Sequence, residues 1–200
     1  MVNEHNTEFF RIIGGKFRGK KLNLPPTIGT RSSKSILRES FFNTLQNGVI
    51  DKIFIEAFAG SGSVGIEAIS RGAKEAIFFE LEPTALKVLK RNLKELKVDN
   101  YKVFGGDVFL MLPPFISSLT NGKNEIICYI DPPFNIRENQ EYIYQKCIKL
   151  IEQLPKESIF LIVIEHITKE IQPQTIGEFE KFKTKKFGKS SLSYYIHKGV

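Results

Sequence analysis

The sequence predicts a doubly wound α/β domain with a mostly parallel, seven-stranded sheet and an antiparallel C-terminal strand. Short apolar runs alternate with helical patterns from residue 53 onward, which is typical of βαβ units. A glycine-rich turn follows the first apolar run, and the last two predicted strands have no helix between them. A small β-hairpin and a helix, within residues 1–47, are expected to precede the core at 48–200.

Seven segments are the predicted strands of the sheet. They lie at 53–55, 76–79, 101–104, 126–130, 159–164, 179–187 and 192–197. Pro83 suits the first position of a helix whose apolar stripe consists of the leucines at 86, 89, 93 and 96. A further helix is predicted over roughly 138–152 from its apolar spacing.

The N-terminal arm, residues 1–47, is predicted to contain the hairpin strands 9–13 and 20–24. Ser32 or Ser33 can cap a following helix of about fourteen residues. Three glycines lie between the hairpin strands, at 14, 15 and 19. We interpret them as allowing the hairpin to approach a phosphate backbone closely. We therefore expect the arm to recognise the substrate rather than to form part of the catalytic core.

Basic residues are concentrated in two stretches of a chain whose formal net charge is +7. No acidic residue occurs between Phe9 and Arg38, and Lys34 lies in this stretch. The residues of the first stretch that are predicted to contact nucleic acid are Arg11, Lys16, Arg18, Lys20, Lys21, Arg31 and Arg38. The second stretch contains Lys181, Lys183, Lys185, Lys186 and Lys189. Such runs are often only solvated faces, but two of them with aromatic residues between favour a polyanionic partner.

Length and composition indicate a globular domain that can bury a core. The chain has 200 residues, of which 42% are apolar, and no apolar run approaches the roughly 20 residues needed to cross a bilayer. The first eight residues are polar and unlike a secretory signal, so we expect a cytoplasmic monomer. Cys128 and Cys147 are expected to be reduced core thiols, and a metal site is not expected.

A glycine-rich turn follows the apolar run Ile53–Ile55. Gly60, Gly62 and Gly65 have the spacing G-x-G-x-x-G and open a helical pattern. Glycine lets the backbone approach a ligand, and a helix N-terminus presents free N–H groups. The spacing also fits a nicotinamide or flavin site, or a plain connecting turn, so it does not by itself identify a ligand.

Acidic residues follow three of the predicted strands. Glu80 ends the second strand, where its carboxylate can accept hydrogen bonds from both hydroxyls of a ribose. Asp107 follows the third and is placed to bond the exocyclic amine of an adenine, although it also suits ordinary turn chemistry. Glu56 ends the first strand and is predicted either to contact the amino-acid part of a cofactor or to brace the glycine turn.

The sequence Asp131-Pro132-Pro133-Phe134 follows the fourth strand and indicates the chemistry. Two prolines fix the backbone and remove two N–H donors, so the Asp131 carboxylate and the Pro132 carbonyl are free to accept from an external amino group. Phe134 offers a face on which a base can stack. The lone pair of an aromatic amine is delocalised, and two acceptors that hold its hydrogens favour a pyramidal nitrogen. Such a site suits attack by an amine and has no use in hydride transfer.

These motifs resemble those of class I S-adenosylmethionine-dependent methyltransferases. The chain is most similar to the bacterial family that methylates the N2 amine of one guanine in 16S ribosomal RNA. The resemblance runs from RIIGGKFRGKKL at 11–22 through FAGSG at 58–62 and DPPF at 131–134 to Phe187-Gly188. Ser32 and Ser35 stand where that family has proline and aspartate.

The resemblance implies a Rossmann-like fold, S-adenosylmethionine as cofactor, and 16S rRNA within a small-subunit assembly as substrate. The residues predicted to bind the cofactor are Glu56, Phe58, Gly60, Gly62, Glu80, Asp107 and Asp131. The predicted catalytic residues are Asp131, Pro132, Pro133 and Phe134. An adenine-N6 DNA methyltransferase is an alternative, although 200 residues leave no room for a separate sequence-reading domain. A nucleotide-binding module that binds RNA without catalysis is another.

Overall fold

The computed structural model describes residues 9–26, 31–119, 125–133 and 140–198, with only the backbone described at 31–33, 140 and 141. Phe134 lies outside the described residues, and so does the side chain of Arg31. The roles assigned to them remain predictions, as does the division of the chain into an arm and a core.

Ten strands occur in the described part of the chain. They are β1 Phe9–Arg11, β2 Lys21–Asn23, β3 Ile53–Glu56, β4 Glu75–Glu80, β5 Tyr101–Gly105, β6 Ile126–Ile130, β7 Ile159–Ile167, β8 Thr175–Ile176, β9 Phe179–Phe187 and β10 Ser190–His197. β1 and β2 form an antiparallel hairpin, and the other eight form one sheet in the order β5-β4-β3-β6-β7-β10-β9-β8.

The predicted sheet is confirmed. β3 to β7 pair in parallel, and β10 is antiparallel to both β7 and β9. All seven predicted strands are present, and the two-residue β8 adds an eighth at the edge. Because β3 lies between β4 and β6, the residues that follow these three strands meet at one edge of the sheet.

Five α-helices occur in the described residues, namely α1 Arg31–Leu45, α2 Ser63–Ser70, α3 Pro83–Leu96, α4 Val108–Ser118 and α5 Gln140–Glu152. Helix α4, which contains Pro113 and Pro114, is not among the helices predicted from the sequence. Proline weakens a helix interior because it removes a backbone donor. Burial of Val108, Leu112 and Ile116 along one stripe of α4 outweighs that cost.

Apolar side chains cover both faces of the sheet. On one face, Ile55 and Cys128 belong to a buried cluster that packs against α4 and α5. On the other face, Phe54 and Ile127 pack against Phe41 and other side chains of α1. Both cysteines of the chain are buried and free, in agreement with the expected core thiols.

The backbone of the arm's hairpin is hydrogen-bonded to Ser70 of α2. The N–H of Lys16 donates to the Ser70 carbonyl at 2.7 Å, and the Ser70 hydroxyl donates to the Gly14 carbonyl at 2.6 Å. Gly15 has φ +76°, and a Cβ there would lie 1.8 Å from the Ser70 carbonyl oxygen. Gly15 is therefore required for contact with the protein's own core, which corrects its interpretation as a means of approaching phosphate.

Candidate active site

A cleft of about 420 Å³ lies where the arm faces the carboxyl ends of β3, β6 and β7. Phe58 and Gly60 of the glycine turn line one side, and Phe10 and Lys34 of the arm line another. The arm therefore forms a wall of the cleft. Its expected role as the part of the chain that recognises the substrate remains a prediction.

The glycine turn adopts backbone conformations that suit glycine. Gly60 has φ +53° and Gly62 has φ +78°, both in the left-handed region. A Cβ at Gly62 would lie 2.3 Å from Cδ1 of Leu89, and one at Gly65 would lie 2.4 Å from Cε1 of Phe78. The turn thus packs closely on α3 and β4 while its outer side lines the cleft.

Glu56 braces the start of α2 from inside the core. Its carboxylate accepts hydrogen bonds from the N–H of Val64 at 3.2 Å and of Gly65 at 2.8 Å, and its side chain is buried. Burial raises the pKa of this carboxyl to about 8, against the two hydrogen bonds, which favour the charged form. Of the two predicted roles, the structure shows the brace. Glu56 also lines the cleft, and its contact with a cofactor remains a prediction.

Glu80 and Asp107 lie at neighbouring strand ends, as predicted, and each stabilises a turn. The Glu80 carboxylate accepts from the N–H of Gly60 at 2.6 Å and of Glu82 at 2.7 Å. Asp107 caps α4 by accepting from the N–H of Phe109 at 2.9 Å. Neither residue lines the cleft described above, so their predicted contacts with ribose and adenine stay predictions.

Asp131 lines the cleft directly after β6 and pairs with the arm. Lys34 Nζ lies 2.8 Å from Asp131 Oδ2, and 17% of the Asp131 side chain is exposed. Pro132 is buried and Pro133 is exposed. Lys34 belongs to the first basic stretch of the sequence, but no local pattern predicts its contact with Asp131, because 97 positions separate the two along the chain.

A second acid that the sequence analysis misses, Glu165 of β7, lies in the same cleft. The Tyr129 hydroxyl donates to its carboxylate at 2.9 Å, and both side chains are buried. Burial and the nearby Asp131 charge raise the pKa of Glu165 to about 8, while Lys34 opposes the rise. Glu165 directly follows the apolar run 159–164, just as Glu80 follows the run 76–79. The same criterion, an acidic residue after a predicted strand, could therefore have found it.

The outer surface of the hairpin is basic and aromatic. Its exposed basic residues are Arg11, Lys16, Arg18, Lys20 and Lys21. Lys16 and Lys20 lie 5.4 and 5.1 Å from the ring centre of Phe17, and Lys21 lies 4.4 Å from that of Phe9. These five residues are accessible to a polyanion, and their contact with RNA remains a prediction.

Arg38 is placed differently from the other basic residues of the arm. It is 3% exposed, donates to the Arg11 carbonyl at 2.7 Å, and has its Nε 3.7 Å from Glu67 Oε2. It lies one position after Leu37 and three before Phe41, both buried, and therefore faces inward on α1. This corrects its assignment to an RNA-binding surface, because its guanidinium is committed to groups of the protein itself.

The C-terminal lysines are divided between the two faces of the sheet. Lys183 and Lys185 pair in register with Tyr194 and Leu192, which face α1. Lys186 belongs to the opposite face, since side chains alternate along a strand. The basic run in the sequence therefore does not form a single patch.

No helix within the described residues is long and apolar enough to cross a membrane. Over the same residues, no group of three or more histidine, cysteine, aspartate and glutamate side chains has the arrangement of a metal site.

Comparisons with known proteins agree on one family. A family model described as "Conserved hypothetical protein 95" matches residues 10–196. "Ribosomal RNA small subunit methyltransferase D" of Escherichia coli strain K12 is 35% identical over 132 residues, which are 66% of this chain and only 64% of that protein. The protein of the same name from Buchnera aphidicola subsp. Acyrthosiphon pisum is 31% identical over 187 residues, 84% of this chain and 95% of that protein.

A solved structure is similar along nearly the whole chain. "Putative methyltransferase yhhF" from Escherichia coli has a TM-score of 0.75 and 29% sequence identity, and the match covers 96% of this chain and all of that one.

Proposed function

This chain belongs to the family described as conserved hypothetical protein 95 and has the Rossmann-like class I methyltransferase fold, and we propose that it transfers a methyl group from S-adenosylmethionine to the N2 amine of a guanine in 16S ribosomal RNA. The relatives that bear the name ribosomal RNA small subunit methyltransferase D support the substrate class. The choice of guanine N2 rests on the resemblance of the sequence motifs.

The observation that supports the proposal most directly is the position of Asp131. It follows β6 at the edge of the sheet where parallel α/β proteins bind ligands, and it lines the same cleft as Gly60 and Ser61 of the glycine turn. Pro132 and Pro133 have no N–H groups that could occupy its carboxylate. A carboxylate held in this way can accept hydrogen bonds from an amino group.

The residues of the cleft fit S-adenosylmethionine, which bears a sulfonium and an ammonium group. Glu56, Asp131 and Glu165 place three carboxyl groups around the cleft, and a bound cation would favour their charged forms. Glu80 and Asp107, at the next two strand ends, would hold the ribose and the adenine. When bound, the cofactor supplies an electrophilic methyl group.

Asp131 would act on the target amine rather than on the cofactor. Its carboxylate accepts a hydrogen bond from N2, orients the nitrogen, and takes up the proton that N2 releases as it becomes methylated. A guanine in a stacked helix cannot reach the cleft, so the base must be flipped out of its stack. Phosphates on either side of it would contact the exposed basic residues of the hairpin.

Methylation of ribosomal RNA prepared from cells that lack this protein tests the proposal. The wild-type protein with labelled S-adenosylmethionine should modify one guanine, mapped by mass spectrometry of nuclease fragments. Asp131→Asn should reduce the rate by at least about a hundredfold, as expected for loss of a general base, without weakening cofactor binding. Asp99→Asn, at an exposed acid beyond the C-terminal end of α3, is the matched control and should behave as wild type.

Other outcomes favour the alternatives. Label in adenine of DNA would identify an adenine methyltransferase, and cofactor binding with no label in any nucleic acid would indicate a binding module. Binding of NAD in place of S-adenosylmethionine would refute the proposal altogether.

A further inference from the structure

We propose that Lys34 is a positioning residue of this site, whose ammonium group orients the carboxylate of Asp131 and balances the negative charge of the cleft while the target amine binds. This inference rests on the proposed methyl transfer and extends it to the arm. The contact that carries it is the 2.8 Å hydrogen bond from Lys34 Nζ to Asp131 Oδ2.

The packing of α1 fixes where the Lys34 ammonium can reach. Lys34 is the fourth residue of that helix, and Leu37 and Phe41 follow it by three and seven positions on the same face. Leu37 is 1% exposed and Phe41 is fully buried in the cluster that covers β3 and β6. The helix therefore cannot carry Lys34 away from Asp131 without unpacking part of the core.

Titratable groups surround the ion pair on several elements. Those that interact electrostatically with Lys34 or Asp131 are Glu56 of β3, Tyr129 of β6, Tyr144 of α5 and Glu165 of β7, and Arg38 of α1 lines the same cleft. Arg38 is committed to Glu67 and to the Arg11 carbonyl, so Lys34 is the cation that bonds Asp131 among the described residues.

Lys34 acts through its charge and not as a base. The Asp131 carboxylate raises the pKa of the Lys34 ammonium beyond its ordinary value, against the effect of burial, so the group stays protonated at any working pH. The same ammonium lowers the pKa of Glu165, against burial and the Asp131 charge, which raise it to about 8. Loss of the Lys34 charge would remove the positive charge that opposes this rise, so Glu165 would hold its proton to higher pH.

The geometry assigns different tasks to the two oxygens of Asp131. Lys34 engages Oδ2 and thereby limits rotation of the carboxylate. Oδ1 can then meet the target amine in a constant direction, which matters because small misplacements of a reacting group reduce the rate strongly. Since Lys34 comes from the arm and Asp131 from the core, docking of the arm and assembly of the reacting site are linked.

Two substitutions at Lys34 separate charge from shape. Lys34→Met should lower kcat tenfold or more at pH 7 and move the acidic limb of the pH profile of kcat upward by about one unit or more. It should change the dissociation constant of S-adenosylhomocysteine by less than about threefold. Lys34→Arg retains the charge and should keep most of the wild-type kcat, and the acidic limb of its pH profile should match that of the wild type. Lys90→Met, which removes an exposed charge on α3, is the control.

The inference is overturned if Lys34→Met keeps the wild-type kcat and pH profile. It is also overturned if Lys34→Met and Lys34→Arg are equally impaired with an unmoved limb, since the residue would then only tie the arm to the core.

A stability measurement does not depend on methyl transfer. Glu56 and Glu165 have folded pKa values of about 8, above those of unfolded glutamate, so the unfolded state binds fewer protons and stability falls as pH rises from about 4.5 to 8. In Lys34→Met the fall should continue above pH 8, because Glu165 then holds its proton longer. Identical pH dependence of thermal unfolding in both proteins would refute the charge balance. Divergent curves from a wild type that methylates no RNA would refute the proposed function only.

Discussion

Replacing Glu67 with glutamine tests whether a single buried carboxylate holds the arm on the core. Glu67 lies on α2 and is fully buried. Its two oxygens accept from the N–H groups of Ile13 and Gly14, each at 2.8 Å, and from Nε of Arg71 at 2.8 Å. Arg38 Nε also lies near this carboxylate, 3.7 Å from Glu67 Oε2. One side chain therefore satisfies two backbone donors of the hairpin and faces two guanidinium groups.

Glutamine preserves the volume of this side chain but removes its negative charge and one of its two acceptor oxygens. Its NH₂ group must point at an N–H donor of Ile13 or Gly14, and both guanidinium groups lose their counter-charge. Removal of one partner from a buried pair costs about 3–5 kcal/mol. For a chain of this length each kcal/mol lowers Tm by about 2–4 °C, so we expect a decrease of about 6–20 °C.

Thermal unfolding measures the loss of stability, and hydrogen exchange measures the loss of the hydrogen bonds that hold the hairpin. The amides of Ile13 and Gly14 should exchange faster in Glu67→Gln, because the hairpin loses its acceptors. Glu95→Gln is the control, since Glu95 pairs with Arg91 at 2.8 Å on the exposed face of α3 and should cost less than about 1 kcal/mol. Equal losses in the two variants, or unchanged protection at Ile13 and Gly14, would show that Glu67 does not anchor the arm.

Three further predictions follow from the same structure. Gly15→Ala should destabilise the fold more than Gly19→Ala by about 1–3 kcal/mol in urea unfolding, because both glycines have positive φ but only the Gly15 Cβ meets the Ser70 carbonyl; equal losses would contradict this. Between pH 4.5 and 8, an acid with a raised pKa such as that of Glu56 lowers stability by up to about 1.4 kcal/mol for each unit of rising pH. Glu56→Gln should therefore lose less stability over this range, and an unchanged slope of Tm against pH would exclude Glu56 as a cause of the loss. Replacing four of the five exposed hairpin cations, Lys16, Arg18, Lys20 and Lys21, with alanine should flatten the salt dependence of RNA binding by roughly 0.7–0.9 in log–log slope per lost contact. Cofactor affinity should stay unchanged, and a wild-type slope would contradict a contact between these residues and RNA.

Sequence reasoning succeeded where the signal is local. Local patterns located the seven main strands, and they placed Glu56, Glu80 and Asp131 at or directly after strand ends, where the structure has them. The binding roles of these three residues remain predictions. Sequence reasoning missed α4, because Pro113 and Pro114 argue against a helix unless the burial of its other residues is known. It also assigned Arg38 to the surface, because a run of basic residues does not reveal which member faces inward.

The sequence by itself determined the seven main strands in their order along the chain, the glycine turn, and the positions of Glu56, Glu80 and Asp131 at strand ends, since each depends on neighbours within a few positions. Only the tertiary structure decided that the arm is a wall of the cleft. Lys34 meets Asp131 across 97 positions, and Glu67 meets Ile13 across 54, because α1 and the hairpin dock on the sheet through apolar contacts. The partners of a charged side chain depend on that docking, and no local pattern in the chain contains it.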